Sequence, residues 1–169
     1  MTIRKILTEP DPLLRQISHD IEKVDDEVRK LMDDMLETMY AAPGIGLAAI
    51  QIGIPKRVIV IDLSKAKEKK PLYFVNPIVI IKSKNNATYE EGCLSVPGQF
   101  AEVDRPDKCH VRYLDYEGQK KELIAEGLLA TCIQHEMDHL KGILFIDYLS
   151  KLKKNYIVKK LSKQKKVLE

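Results

Sequence analysis

The sequence predicts an α+β fold, in which antiparallel strands pack around a central helix that carries the HExxH pattern of residues 135–139, with a further helix at the C-terminus. Three observations predict this fold. Apolar residues recur at helical spacing near the start of the chain and again before residue 142. Between these segments lie short apolar or alternating runs bounded by glycine and proline, which is typical of strands. With 169 residues and 44% hydrophobic content, the chain is expected to form one domain, 1–169, with a substantial core.

The first predicted helix runs from about Asp25 to Tyr40. Its acidic start suits an N-cap and the positive end of the helix dipole. We interpret its methionines as core residues rather than metal ligands, because a thioether fills irregular gaps well. The apolar side chains follow the i, i+3, i+4, i+7 pattern of an amphipathic helix: Val28, Leu31, Met32, Met35, Leu36 and Met39.

The helix is followed by the sequence AAPGIGLAAIQIG, in which Pro43, Gly44 and Gly46 interrupt helical structure. The spacing is not that of a phosphate-binding loop, since no Gly-Lys-Ser/Thr is present and no strand precedes it. Two interpretations remain open here: a close approach of the backbone to a ligand, or an ordinary turn.

The middle of the chain is rich in predicted strands. KRVIVIDL is a short apolar run typical of a buried strand, and HVRYLDYEGQKKEL predicts a hairpin that turns near Glu117 and Gly118. PLYFVNPIVIIKS predicts a strand interrupted by Pro77, because a central strand rarely accommodates proline. The polar segment YEEGCLSVPG, bounded by glycine and proline, predicts a loop that contains Cys93.

The C-terminal third is predicted to be helical. LLATCIQHEMDHLKG has no internal glycine or proline, and Gly142 follows as a C-cap. We expect residues 149–169 to form a lysine-rich C-terminal helix, with an apolar stripe at helical spacing made by Leu149, Leu152, Tyr156 and Leu161.

Charge and cysteine content limit the classes of protein. The net charge of +3 is unevenly spread, since Lys151 to Glu169 carries +7 and leaves −4 on the rest. The basic tail favours either an anionic partner surface or a solvated helix. Three cysteines argue against a disulfide framework and favour a reducing compartment. No apolar run approaches the roughly 20 residues of a membrane span, and the start resembles no targeting segment, so we expect an unprocessed cytoplasmic protein with no membrane or DNA partner.

The sequence QHEMDH, residues 134–139, predicts a hydrolytic metal site. On a helix, His135 and His139 lie on one face about 6 Å apart along the axis, so both imidazoles can reach one ion. Glu136 is rotated by about 100°, where its carboxylate can act as a base on water rather than as a ligand. The alternative is a partly buried helix with two structural histidines.

A hydrolytic metal ion usually has three protein ligands and one open position. After His139 the chain has no histidine, and its only carboxylates are Asp147 and Glu169, which counts against an ordinary zinc protease. Cys132 lies about 7.5 Å along the helix from the expected ion, whereas a cysteine side chain and its metal bond span only about 5 Å. Cys109 stands in a predicted strand with nothing to mark it. By elimination, Cys93 is the best third ligand.

Three segments together resemble the three signature motifs of the peptide deformylase family: GIGLAAIQ (44–51), EGCLS (91–95) and QHEMDH (134–139). The resemblance covers essentially the whole chain. It implies a catalytic domain that removes the formyl group from N-formylmethionyl nascent peptides in the bacterial cytoplasm. It also implies one divalent ion, Fe²⁺ in the cell with Zn²⁺, Ni²⁺ or Co²⁺ able to substitute.

The resemblance assigns roles to individual residues. The implied metal ligands are Cys93, His135 and His139, and the implied general acid/base is Glu136. The implied oxyanion donors are the Gln51 side chain and the backbone N–H of Leu94. We expect the methionine pocket to be lined by Ile45, Leu128 and Cys132, although the alternative that they only fill the core remains open. Our hypothesis is that the tight loop of Gly44 to Gly46 excludes larger acyl groups.

Further expectations concern residues around the site. Asp138 and Arg105 are candidate partners of the metal-binding histidines, or else a plain surface ion pair. Glu91 is either a loop-anchoring salt-bridge residue or solvent-exposed. The resemblance also suggests that the lysine-rich helix docks on ribosomal RNA near the exit tunnel, with salt-dependent binding.

Two rival functions use the same features. A zinc endopeptidase would cleave internal peptide bonds and would not need Cys93. A non-enzymatic RNA-associated protein would hold no metal. Formate release from formyl-Met peptides, with metal analysis of the same sample, separates the three.

Overall fold

The structure, a computed structural model, describes residues 2–65 and 67–168. The helices and strands over these residues are α1 (Asp26–Ala41), β1 (Gly46–Ala48), β2 (Val58–Ile61), β3 (Leu72–Lys82), β4 (Asn86–Cys93), β5 (Val96–Pro106), β6 (Lys108–Leu114), β7 (Lys120–Glu126), α2 (Gly127–Leu140) and α3 (Lys151–Leu168). Short 3₁₀ helices span Pro12–Arg15, Ala49–Ile52 and Phe145–Tyr148. The ends of the predicted domain, residues 1 and 169, lie outside the described part.

The strands form two antiparallel sheets. One has five strands in the order β1-β2-β3-β6-β7, and the other is the two-stranded ribbon β4-β5. Every pairing between these strands is antiparallel. The predicted α+β class is therefore confirmed, including the C-terminal helix.

The five-stranded sheet lies between α1 and α2. Val58 and Val60 of β2 pack with the apolar face of α1, while Ile59 and Ile61 pack with α2 on the opposite side. Alternate side chains of a strand point to opposite faces, so a strand covered on both faces is apolar at every position. This explains the uninterrupted apolar run of β2. The methionines of α1 lie in this core, as predicted, and include Met32, Met35 and Met39.

The prediction for Pro77 was wrong. β3 runs continuously through this residue and lies between β2 and β6 in the sheet. The register shifts between Val75 and Ile78, and Asn76 adopts a positive φ of 50°. The Asn76 side chain exchanges two hydrogen bonds with the backbone of Ile21, at 2.7 and 2.8 Å. A bulge held by a side chain therefore accommodates the proline inside the sheet.

The predicted loop around Cys93 was also wrong. Residues Asn86–Cys93 form β4, and Cys93 pairs with Val96 across the tight turn to β5. The ribbon has exposed or half-buried side chains at most positions of β4, so it lacks the apolar signal on which strand prediction depends. Its strands are specified instead by cross-strand pairing.

The C-terminal helices lie close to the predicted segments, but α3 begins at Lys151 rather than at Leu149, and some of its contacts differ from the prediction. The helix α2 ends at Leu140, with Lys141 as its cap and Gly142 next at φ 75°, the left-handed conformation expected of glycine there. In α3 the buried residues are Ile157 and Leu161, whereas the predicted stripe residues Leu152 and Tyr156 are exposed. Ile157 and Leu161 pack into the apolar cluster around Phe145, so the buried stripe of α3 is narrower than the helical spacing predicted.

Across residues 2–65 and 67–168, none of the helices combines the length and apolar character that crossing a membrane requires.

Candidate metal centre

Two elements bring three ligating side chains together. His135 and His139 project from α2, one helical turn apart, and Cys93 ends β4 opposite them. One ligand atom from each residue lies within 4.8 Å of the others. Cys93 Sγ is 3.4 Å from His139 Nε2. Tetrahedral ligands with bonds of 2.0 to 2.3 Å stand about 3.5 Å apart, so this spacing suits a single ion.

The electrostatics of the cluster also suit a cation. His139 is fully buried, and burial together with the adjacent His135 holds its pKa well below the ordinary value, which keeps the imidazole neutral and able to ligate. Burial lowers the pKa of His135, but the Cys93 sulfur and the Glu91 carboxylate outweigh burial and raise it. The position between these groups therefore favours positive charge. A thiolate and two imidazoles are ligands that Fe²⁺ and Zn²⁺ accept.

A buried salt bridge orients His135. Glu91 Oε1 lies 2.8 Å from His135 Nδ1, which leaves Nε2 for the ligand cluster. The Arg105 guanidinium donates two hydrogen bonds to Glu91, at 2.7 and 3.0 Å, and one to Asp138 at 2.8 Å. The pKa of Glu91 is lowered, because His135 and Arg105 outweigh its burial. Of the interpretations left open by sequence, the structure shows Glu91, Arg105 and Asp138 in one network beside the histidine.

Glu136 lies beside the cluster rather than in it. Its side chain is 5% exposed, and Oε1 is 3.8 Å from His135 Nε2. Burial raises the pKa of Glu136 to about 7. Strand β1 approaches this carboxyl closely, since a Cβ added at Gly46 would stand 3.2 Å from Glu136 Cδ. A carboxyl with a pKa near neutrality can both accept and return a proton.

Gln51 points an amide N–H₂ toward Cys93. Its Oε1 accepts a hydrogen bond from the Ala48 N–H at 2.9 Å, so Nε2 faces the other way. Nε2 donates to Ser95 Oγ at 3.0 Å and is 3.5 Å from Cys93 Sγ. The backbone N–H of Leu94 follows Cys93 directly in the β4–β5 turn. Gln51 and Leu94, the two candidate donors, both line the cavity beside Cys93.

A cavity of about 460 Å³ opens onto these groups. The cavity wall contains every residue expected to bind substrate: Gly44, Ile45, Gly46, Leu128 and Cys132. Burial raises the pKa of Cys132 to about 12, so its thiol stays protonated and is a poor ligand.

The glycine loop approaches the β4–β5 turn. A Cβ added at Gly44 would stand 2.6 Å from Leu94 Cδ1. Of the two interpretations left open by the sequence, this favours a close approach of the backbone to a ligand. The backbone of this segment forms part of the cavity wall beside the ligand cluster.

Several residues of the site had no sequence signal. Tyr89, Phe100 and Thr131 line the cavity, and Ser95 holds Gln51. Phe145 packs its ring against the His135 imidazole, with centroids 6.1 Å apart and an interplanar angle of 24°. Only Ser95 belongs to a recognised motif. Tyr89 and Phe100 lie on strands, Thr131 lies in α2 and Phe145 begins a 3₁₀ helix, and the local sequence marks none of them as site residues.

Comparison with known proteins gives the same picture. A family model described as polypeptide deformylase matches residues 3–155. The chain is 70% identical over 168 residues to a peptide deformylase of Pelagibacter ubique (strain HTCC1062), covering 98% of this chain and 96% of that relative.

The fold of this chain also matches solved structures. A peptide deformylase from Ehrlichia chaffeensis in complex with actinonin matches with a TM-score of 0.93 and 43% identity, covering 97% of this chain and 98% of that chain. A peptide deformylase from Legionella pneumophila matches with a TM-score of 0.92 and 45% identity, over 99% and 98% of the two chains. The resemblance of the three motifs is thereby confirmed: the chain belongs to the polypeptide deformylase family.

Proposed function

We propose that Cys93, His135 and His139 hold one divalent metal ion, with which this chain removes the formyl group from N-formylmethionyl peptides. The observation that carries the proposal is the convergence of three ligand atoms within 4.8 Å, at a cavity that also contains Glu136 and Gln51. A bound divalent ion supplies Lewis-acid chemistry, because it polarises a carbonyl and acidifies water.

Glu136 moves the proton in this reaction. Its carboxylate takes a proton from the water whose oxygen attacks the formyl carbon, and returns that proton to the amine nitrogen when the C–N bond breaks. The products are formate and a free α-amine. The buried position of Glu136, next to His135, supports this role.

Gln51 and Leu94 stabilise the negative charge that develops on the formyl oxygen. The Gln51 amide is held by Ala48 and Ser95, so its N–H₂ is oriented before substrate binds. Donors fixed in advance stabilise developing charge without reorganisation, and the loss of one such donor costs about 10²- to 10³-fold in rate.

The cavity walls determine which substrate fits. Ile45, Leu128 and Cys132 supply an apolar surface for the methionine side chain. The loop of Gly44 to Gly46 lies close to Leu94 and Glu136, which restricts the acyl group to the small formyl group. Comparison of formyl and acetyl substrates tests this restriction.

Three broader assignments complete the proposal. Fe²⁺ is the ion in the cell, and Zn²⁺, Ni²⁺ or Co²⁺ can substitute, since the mixed thiolate and imidazole donors accept all of these metals. The chain forms a single catalytic domain that acts in the bacterial cytoplasm, as its unpaired cysteines and bacterial relatives support. The lysine-rich α3 docks on ribosomal RNA near the exit tunnel.

Formate release from a formyl-Met peptide, with metal analysis of the same sample, tests the function. A deformylase releases formate in proportion to bound metal and leaves internal peptide bonds intact. A zinc endopeptidase, the second candidate, would cleave internal bonds and keep its activity in a Cys93→Ala variant. Bound metal without formate release would contradict the proposal.

A further inference from the structure

The 3₁₀ helix Phe145–Tyr148 contacts His135 at its start and the hydrogen-bond network around His135 at its end. At its start, the ring of Phe145 is 1% exposed and stacks against the His135 imidazole. At its end, Tyr148 donates a hydrogen bond to Asp138 Oδ2 at 2.7 Å. This short element, which we call the 145–148 turn, connects α2 to α3 and supplies none of the expected metal ligands.

Tyr148 reaches His135 through a continuous chain of hydrogen bonds. Asp138 Oδ2, which accepts from Tyr148, also accepts from Arg105 at 2.8 Å. Arg105 donates to Glu91, and Glu91 contacts His135 Nδ1 at 2.8 Å. We call this chain the 148–135 relay.

The relay is buried where it meets the site and exposed at Tyr148. The side chains of Arg105 and Glu91 are 4% and 5% exposed, whereas Tyr148 is 52% exposed. The Tyr148 ring lies over the Arg105 guanidinium, with 4.9 Å between the ring centroid and Arg105 Cζ. The ring therefore shields this charge from water. Buried charged hydrogen bonds are stronger than exposed ones. A fixed Arg105 therefore holds Glu91 in place, and Glu91 in turn holds the orientation of the His135 imidazole.

We propose that Phe145 and Tyr148 are positioning residues for His135, acting by two separate routes. Phe145 restrains the plane of the imidazole by direct packing. Tyr148 fixes Asp138 and Arg105, and through Glu91 it fixes the direction in which His135 Nε2 points. The inference rests on the metal site of the proposed function, because orienting Nε2 matters only if an ion binds there.

A purely structural role for the turn gives a different expectation. If Phe145 and Tyr148 only packed the core, their substitution would lower the free energy of unfolding without changing metal retention. Metal dissociation and the spectrum of a bound ion therefore separate the two roles, whereas enzyme activity alone would not.

The test uses the full chain loaded with Co²⁺, in which Tyr148→Phe removes one hydroxyl and keeps the ring over Arg105. Tyr156→Phe is the matched control, since Tyr156 is 66% exposed on α3. We expect Tyr148→Phe to lose Co²⁺ to excess chelator about 10-fold faster than the wild type, with a shifted visible absorption band, because outer partners of ligands typically contribute 10- to 100-fold. The control should match the wild type. Equal dissociation rates and spectra for the two variants would overturn the inference.

A second comparison separates the routes. In a Glu91→Ala background the relay is broken, because no acceptor remains between Arg105 and His135. Tyr148→Phe should then add no further acceleration of metal loss, whereas Phe145→Leu should. Phe145→Met serves if the leucine variant folds poorly. A full Tyr148→Phe effect in the Glu91→Ala background would overturn the relay. Both readouts are independent of formate release, so a failed deformylation assay would leave this test intact.

Discussion

At the scale of single residues, the site depends on which atom each side chain presents. His135 presents Nε2 because Glu91 occupies Nδ1, and Gln51 presents its N–H₂ because Ala48 occupies Oε1. In each case a neighbour occupies one polar atom of the imidazole or amide, which leaves the other polar atom of that group facing the site. Substitutions of such residues should change chemistry more than stability.

Glu136→Gln should abolish most deformylation while metal binding persists. The amide keeps the shape of the carboxylate but cannot accept and return a proton, so we expect kcat to fall about 10²- to 10⁴-fold. Metal content per chain should stay at the wild-type level. Glu102→Gln, an exposed substitution on β5, is the control. Retained turnover in Glu136→Gln would exclude Glu136 as the proton carrier.

Cys93→Ser should weaken metal binding, whereas Cys132→Ser should not. Both thiols lie at the cavity, but only Cys93 belongs to the ligand cluster. Loss of a thiolate ligand should reduce metal content after dialysis by about 10-fold or more, since even outer partners contribute that much. Metal analysis of the two variants, dialysed side by side, gives the answer. Metal loss from Cys132→Ser alone would reverse the assignment.

At the scale of elements, α3 carries both apolar residues that pack against the domain and exposed lysines. Ile157 and Leu161 pack against the apolar cluster around Phe145, while most of its lysines are exposed. Deleting the helix would therefore remove packing as well as charge. Only substitution of exposed lysines isolates the contribution of charge to a partner.

Replacement of Lys159, Lys160 and Lys163 by glutamine should weaken ribosome binding and reduce its salt dependence. Each lysine that contacts a phosphate contributes close to 1 to the slope of log affinity against log salt, so the slope should fall by about 2 to 3. The control replaces Lys84, Lys120 and Lys121 by glutamine. These three lysines are also exposed, but they do not belong to α3. Co-sedimentation with ribosomes over a salt series measures both. Identical slopes for the two triple variants would contradict docking through α3.

At the scale of the whole molecule, a small network of charges joins segments that are far apart in the sequence. Arg15 Nη1 lies 2.6 Å from Asp147 Oδ2, and Lys154 Nζ lies 2.7 Å from Asp147 Oδ1. Asp147 also accepts a hydrogen bond from the Leu144 N–H at 3.1 Å. One carboxylate thus connects the N-terminal segment, the 145–148 turn and α3.

Asp147→Asn should destabilise the fold in a pH-dependent way. Burial raises the pKa of Asp147, but Arg15 and Lys154 outweigh it, so the folded-state pKa lies below the ordinary 3.8. The stabilisation is therefore complete above pH 3.8 and is lost as pH falls through the lowered pKa. At pH 7 we expect a loss of about 1 to 2 kcal/mol, because charged hydrogen bonds contribute on that order and the side chain is 22% exposed.

Urea unfolding of the wild type and Asp147→Asn at neutral and acidic pH measures this difference. The gap in unfolding free energy should narrow as the pH is lowered below 3.8. A gap that stays constant with pH would show that the carboxylate charge is not responsible.

Local sequence was sufficient for much of this protein. The amphipathic helix α1, the doubly buried β2, the hairpin near Gly118 and the histidine pair on α2 depend on spacing within one element, and spacing is visible in the chain itself. The same holds for the three motifs that indicated the family.

Tertiary structure decided the rest, because the remaining features depend on partners distant in sequence. The bulge that admits Pro77 is held by Ile21, and the strand that ends at Cys93 is specified by its pairing with β5. The stacking of Phe145 on His135, and the chain of hydrogen bonds from Tyr148 through Arg105 to Glu91, join residues that no sequence motif relates. Periodicity determines which face of an element is apolar, but only packing determines what that face meets.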